Sequence, residues 1–100
     1  MPRHKPRPIG PAGKLPAWVK GEKNECLISV AEDAYKARGL AFDDYHADRY
    51  PSCEELLRAG EKALRELENR KTSTEKRCAM GDKAARKFWE AKSCARRLGG

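Results

Sequence analysis

The chain has 100 residues, of which 37% are charged and only seven are aromatic, with a formal net charge of +7 and a mean hydropathy of −0.89. A chain this short and polar has room for one small core and not for a deep enclosed active site. It contains no run of about 18 apolar residues to span a membrane and no apolar stretch of secretory-signal type at its start.

The charge is unevenly placed. Residues 1–24 carry six Lys or Arg against Glu22, a balance of +5, and residues 76–100 carry eight against Asp82 and Glu90, a balance of +6. The stretch between them sums to −4. Two basic ends around an acidic middle point to a polyanionic partner.

Residues 1–24 hold five of the six prolines, so a regular helix cannot begin before about Ala17. This is an extended basic arm. One reading is a solvated tail. The other uses Arg3, Lys5, Arg7 and Lys14 as phosphate contacts, with Ile9, Leu15, Trp18 and Val19 as apolar anchors that order on the partner. The segment lacks serine, so it does not have the composition of a cleavable matrix presequence.

The first long helix is expected from Asn24, a good N-cap with Glu25 in the first turn, to Gly39 in a left-handed C′ position. Cys26, Leu27, Val30, Ala31, Ala34 and Tyr35 fall on one face. Residues 40–51 read as an ordered loop whose Phe42, Tyr45 and Tyr50 cap the core. Ser52 to Glu55 has the form of a capping box opening a second helix. Its apolar stripe is Cys53, Leu56, Leu57, Gly60, Ala63, Leu64 and Leu67, and its i, i+4 charge pairs form a solvated face.

A second capping box, Thr72 to Glu75, opens a third helix reaching about Leu98, with Gly81-Asp82 as a potential break. Ala85, Phe88, Trp89, Ala95 and Leu98 form its docking face, ringed by Lys83, Arg86, Lys87, Lys92, Arg96 and Arg97. Such a helix suits RNA or an acidic protein groove; the alanines on its apolar face argue against a lipid surface. Phe88 and Trp89 read as protein-contact residues, together with Trp18, more readily than as platforms for splayed bases.

The four cysteines include no C-x-x-C pair, and His4 and His46 are the only histidines, so neither a zinc site nor any other cofactor is expected. A Cys-His catalytic pair would place His46 in a loop with no orienting group. The expectation is a non-enzyme with no small-molecule substrate.

Cys26 and Cys53, each opening a helix of a hairpin, carry a resemblance to the twin Cys-x(9)-Cys (coiled-coil-helix-coiled-coil-helix) family. In that family each helix bears two cysteines ten positions apart, and the antiparallel pair is bridged twice. The partner positions here are Lys36 and Ala63, so the resemblance implies that Cys26 faces Ala63 and Cys53 faces Lys36. Each bridge lacks a sulfur. In that register Cys26 and Cys53 lie roughly 15 Å apart, too far to bond, and the cysteines are expected to be free thiols packed as small apolar groups.

The order of arm, hairpin and basic helix, from PRHKPRPIGPAGKLPAWVKGEKNECL to DKAARKFWEAK, further resembles the branch of that family serving in the small subunit of the mitochondrial ribosome. The reading is an all-α protein: arm 1–24, antiparallel helical hairpin 25–71, basic C-terminal helix 72–100. The resemblance implies a structural ribonucleoprotein component in the mitochondrial matrix, part of a large hetero-assembly of rRNA and ribosomal proteins. Arg3, Lys5, Arg7, Lys14, Lys83, Arg86, Lys87, Arg96 and Arg97 would be its RNA contacts. The alternative is an accessory structural subunit of a respiratory complex or ATP synthase, with protein-to-protein contacts. A free-standing nucleic-acid regulator would want a recognition helix after a tight turn, which the acidic loop does not supply.

Overall fold

A computed structural model describes residues 10–99. Arg3, Lys5, Arg7 and Ile9 therefore lie outside the described residues. Among those described, the chain is helical with no strand. Its elements are α1 (Trp18–Gly21), α2 (Glu25–Gly39), α3 (Glu54–Glu68) and α4 (Thr74–Gly99), joined by short 3-10 turns and one π turn, Leu40–Asp44. The fold class is all-α, as expected.

α4 is the spine. It packs along both α2 and α3, antiparallel to α3 and parallel to α2, while α2 and α3 meet largely through polar side chains. The close approaches follow from small residues. Gly81 of α4 lies against Val30 of α2, and a Cβ at Gly60 of α3 would sit 2.8 Å from the Phe88 ring. Ala84, Ala85, Ala91 and Ala95 continue the same small-residue surface along α4, and all are buried. Gly81 therefore does not break the third helix; it admits α2, and α4 runs unbroken for 26 residues.

The cysteine expectation is overturned. Cys26 is bonded to Cys78 and Cys53 to Cys94, with Cα separations of 6.0 and 5.8 Å, and no cysteine is free. Cys26 does not face Ala63, nor Cys53 Lys36. The reason is the role of α4: both bridges tie it to a neighbouring helix, one at the shared start of α2 and α4, the other where α3 begins beside the last turns of α4. Two disulfides around a helical hairpin are compatible with a coiled-coil-helix-coiled-coil-helix-like fold.

Local signals at the helix ends are met in part. Asn24 caps α2, its Oδ1 accepting from the Leu27 amide at 3.1 Å. Gly39 is not a left-handed C′ residue, because its backbone is right-handed and the chain continues into the π turn, closed by the Tyr45 amide donating to the Leu40 carbonyl at 2.9 Å. The left-handed residue is His46, at φ 50°. The capping box at Ser52 does not form. Pro51 opens a 3-10 turn, in which the Cys53 amide donates to the Tyr50 carbonyl at 2.9 Å, so Ser52 lies inside the turn.

The cap of α4 is Ser73 rather than Thr72. Ser73 Oγ accepts from the Lys76 amide at 3.3 Å, whereas the Thr72 amide is bound by the Asn69 carbonyl at 3.0 Å in the preceding turn. The α3 stripe is buried as expected at Cys53, Leu57, Gly60, Ala63, Leu64 and Leu67, with Leu56 half-buried. Phe42, Tyr45 and Tyr50 pack half-buried against the core.

Long-range hydrogen bonds fasten the incoming chain. Trp18 Nε1 donates to Glu68 Oε1 at 2.7 Å, and the Tyr35 hydroxyl donates to Glu68 Oε2 at 2.7 Å. Arg38 forks onto Glu61 at 2.6 and 3.2 Å and donates a third bond to the Ala12 carbonyl at 3.1 Å. One carboxylate thus joins residues 18, 35 and 68, and one guanidinium joins 12, 38 and 61. The hydrogen bond and charge of Glu61 hold the Arg38 guanidinium above its ordinary pKa, against a smaller opposing effect of burial.

Candidate nucleic-acid interface

α4 presents a cationic outer edge because its buried stripe of Gly81, Ala84, Phe88, Ala91 and Ala95 forces the intervening positions outward. Lys83, Arg86, Arg96 and Arg97 are exposed and Lys87 is half-buried. Lys83 to Arg97 spans about 21 Å of helix. The edge is diluted in two places: Arg86 Nε lies 3.2 Å from Asp82, and Lys87 Nζ lies 3.6 Å from Glu90. Exposed pairs of this kind contribute about 0.2–1 kcal/mol, so an arriving phosphate competes for these cations on nearly equal terms. Lys83, Arg96 and Arg97 make no ion pair with another described residue.

Lys14 is not part of that edge. It is exposed at the rim of a separate groove of about 650 Å³, bordered by residues 10–15, α2 and the π turn. Its charged neighbours there are Lys36 and the acids Glu32, Asp43 and Asp44, so this groove has mixed charge. The structure therefore brings five of the expected RNA contacts onto one helix and leaves Lys14 elsewhere.

The three aromatic residues expected at protein contacts have different fates. Phe88 is fully buried, against Gly60 and with its ring centroid 6.3 Å from that of Phe42. Trp18 is half-buried and held within the chain: Glu68 accepts its N–H, and the Arg77 guanidinium lies 5.3 Å from its ring centroid. Trp89 is 39% exposed.

Lys92 is the residue to add to this surface. Its Nζ lies 5.1 Å from the Trp89 ring centroid and 5.3 Å from that of Tyr45, so one ammonium is held between two aromatic rings. The signal available for it was the i, i+3 spacing from Trp89, which places a cation beside the indole on any helix. Tyr45 carried no such signal, since its approach to α4 is set by the turn after α2.

Among the described residues no helix is long and apolar enough to cross a membrane, and no group of three or more His, Cys, Asp or Glu is disposed to hold a metal ion. No family model, curated protein or solved structure matches the chain.

Proposed function

We propose that this chain is a structural component of a ribonucleoprotein, in its sharpest form a protein of the mitochondrial ribosomal small subunit, lying against rRNA and neighbouring proteins in the matrix. The observation that carries the reading is the outer edge of α4, where Lys83, Arg86, Arg96 and Arg97 stand exposed on one rigid helix beside Trp89 and Lys92. Cations on a fixed 21 Å rod match the spacing of several phosphates at once, and phosphate neutralisation grows with the number of such contacts. The residues position and do not catalyse. The basic arm, with Arg3, Lys5 and Arg7, extends the same electrostatics in sequence.

The test is sedimentation of the tagged chain from gentle lysate, with and without RNase, with identification of everything that co-migrates. Co-migration with small-subunit ribosomal proteins that is lost on RNase treatment supports the reading. Replacing Arg3, Lys5 and Arg7 by Glu is expected to release the protein from the particle; undiminished co-sedimentation counts against the arm's role.

The two disulfides favour a second reading. Disulfides form and persist in oxidising compartments and are rare where thiols are kept reduced. A chain that stays where it was oxidised would be an accessory structural subunit of a respiratory complex or ATP synthase. RNase-resistant migration with respiratory subunits would establish that alternative.

A further inference from the structure

Phe88 and Trp89 are adjacent, yet the first is fully buried and the second is 39% exposed. Among the described residues of α4, Trp89 and Leu98 are the exposed large apolar ones, and Trp89 is the one beside Lys92. One approach to its ring is occupied by the Lys92 ammonium, itself steadied by Tyr45 on its other side. The indole N–H makes no hydrogen bond to another described residue. Around the ring, at helical spacing, stand Arg86 three residues before, Ser93 four after and Arg96 seven after, all exposed.

This is a stacking surface with a phosphate-sized halo. We infer that Trp89, Lys92 and Tyr45 form a seat for one unpaired nucleotide of RNA, its base on the open face of the indole and its phosphates on Lys92, Arg96 and Arg86. The inference rests on the ribonucleoprotein reading and narrows it from polyanion to single strand. A base inside a duplex has no free face, so stacking demands a nucleotide already out of the helix. Surface cation–aromatic contacts are weak enough for Lys92 to turn toward a phosphate without unfolding anything.

A protein partner would be expected to use a continuous apolar patch around such an indole. None is seen here. The next exposed large apolar residue on the helix, Leu98, is nine positions on and therefore about half a turn round, on the opposite side of α4. The immediate neighbours of Trp89 are Lys92, Arg96, Ser93 and Arg86, the last paired with Asp82 at 3.2 Å, polar and mainly cationic groups that complement a nucleotide and not a hydrophobic groove.

The experiment measures binding of the full-length oxidised chain to fluorescently labelled decauridylate and to an RNA duplex of ten base pairs, at low salt, for wild type, Trp89→Ala, Trp89→Phe and Lys83→Ala. Circular dichroism melts of each variant confirm folding. Trp89→Ala is expected to weaken decauridylate binding about tenfold, as loss of one stacked base does, to leave duplex binding unchanged, and to be largely rescued by Trp89→Phe. Lys83→Ala is expected to weaken both ligands alike.

If Lys83→Ala weakens both and Trp89→Ala changes neither, or changes both equally, RNA binding stands and the stacking seat is overturned. If neither RNA binds the wild type, the ribonucleoprotein reading fails and the seat with it. Competition by polyglutamate that matches decauridylate and shows the same dependence on Trp89 would overturn the seat in favour of an acidic protein partner.

Discussion

Trp18 and Trp89 are built from the same two pieces, an indole with a cation over its ring, and they end in opposite conditions. At Trp18 every polar group is answered from within. The N–H meets Glu68, the second oxygen of Glu68 meets the Tyr35 hydroxyl, and the buried Arg77 over the ring donates through Nε to the Leu67 carbonyl at 2.7 Å. That bond also satisfies one of the orphan carbonyls at the end of α3. At Trp89 the cation is a lysine with no carboxylate partner among the described residues, and the residue is 39% exposed. The difference teaches that a cation over an aromatic ring is a structural joint only when the cation has a second, buried partner. Without one it is a surface ready for use.

The comparison breaks hardest at the residue beside Trp89. Phe88→Ala is expected to cost about 3–5 kcal/mol, because it opens a void between Gly60 and Phe42 that helices drawn together by glycine cannot fill. Trp89→Ala is expected to cost less, about 1–2 kcal/mol, because the indole is 39% exposed and the rest of it covers its neighbours. Urea unfolding of the two variants, oxidised, measures both; equal losses would mean that Trp89 is a core residue after all.

The two disulfides draw the same contrast between interior and edge. They close loops of 41 and 52 residues, so the entropic gain is nearly the same, about 4 kcal/mol each by the chain-entropy rule. Access is what separates them. Cys53 is fully buried and Cys94 nearly so, whereas Cys26 is exposed and Cys78 half-buried. Under limiting dithiothreitol with alkylation and mass spectrometry, Cys26 and Cys78 are expected to be labelled first and Cys53 and Cys94 only as the chain unfolds. Simultaneous labelling of all four would erase the distinction.

What could be read in the sequence was whatever one helix decides alone. The Asn24 cap and the α3 stripe depend on neighbours within a turn or two, and they are present as expected. The capping boxes show the limit of that logic. Ser52 and Thr72 have the right chemistry, but Pro51 and Asn69 begin competing turns that place both one step from an N-cap. The disulfide partners were illegible because they depend on which helix lies between the other two, and Gly81 looked like a break because its value appears only when Val30 is laid against it. The same blindness joined Phe88 to Trp89. Adjacent helical positions differ by about 100°, and only the packed neighbours decide which ring turns inward.

A finer probe of the joint at Trp18 uses the proton of Tyr35. Burial first, and then the hydrogen bond and negative charge of Glu68, push the Tyr35 phenol well above its ordinary value. The neutral phenol is therefore favoured by the folded chain, and its contribution is complete below the unfolded pKa of about 10 and is lost as pH rises through the folded value. Tyr35→Phe removes both the hydrogen bond and the titration. Below pH 10 the variant is expected to be less stable by about 1 kcal/mol, the usual worth of one such bond. Above it the wild type falls more steeply and the two curves converge. Urea unfolding at several values between pH 8 and 11 reads that difference directly. Parallel curves across the range would mean that folding does not raise the Tyr35 phenol, so that neither its burial nor its bond to Glu68 couples its proton to stability.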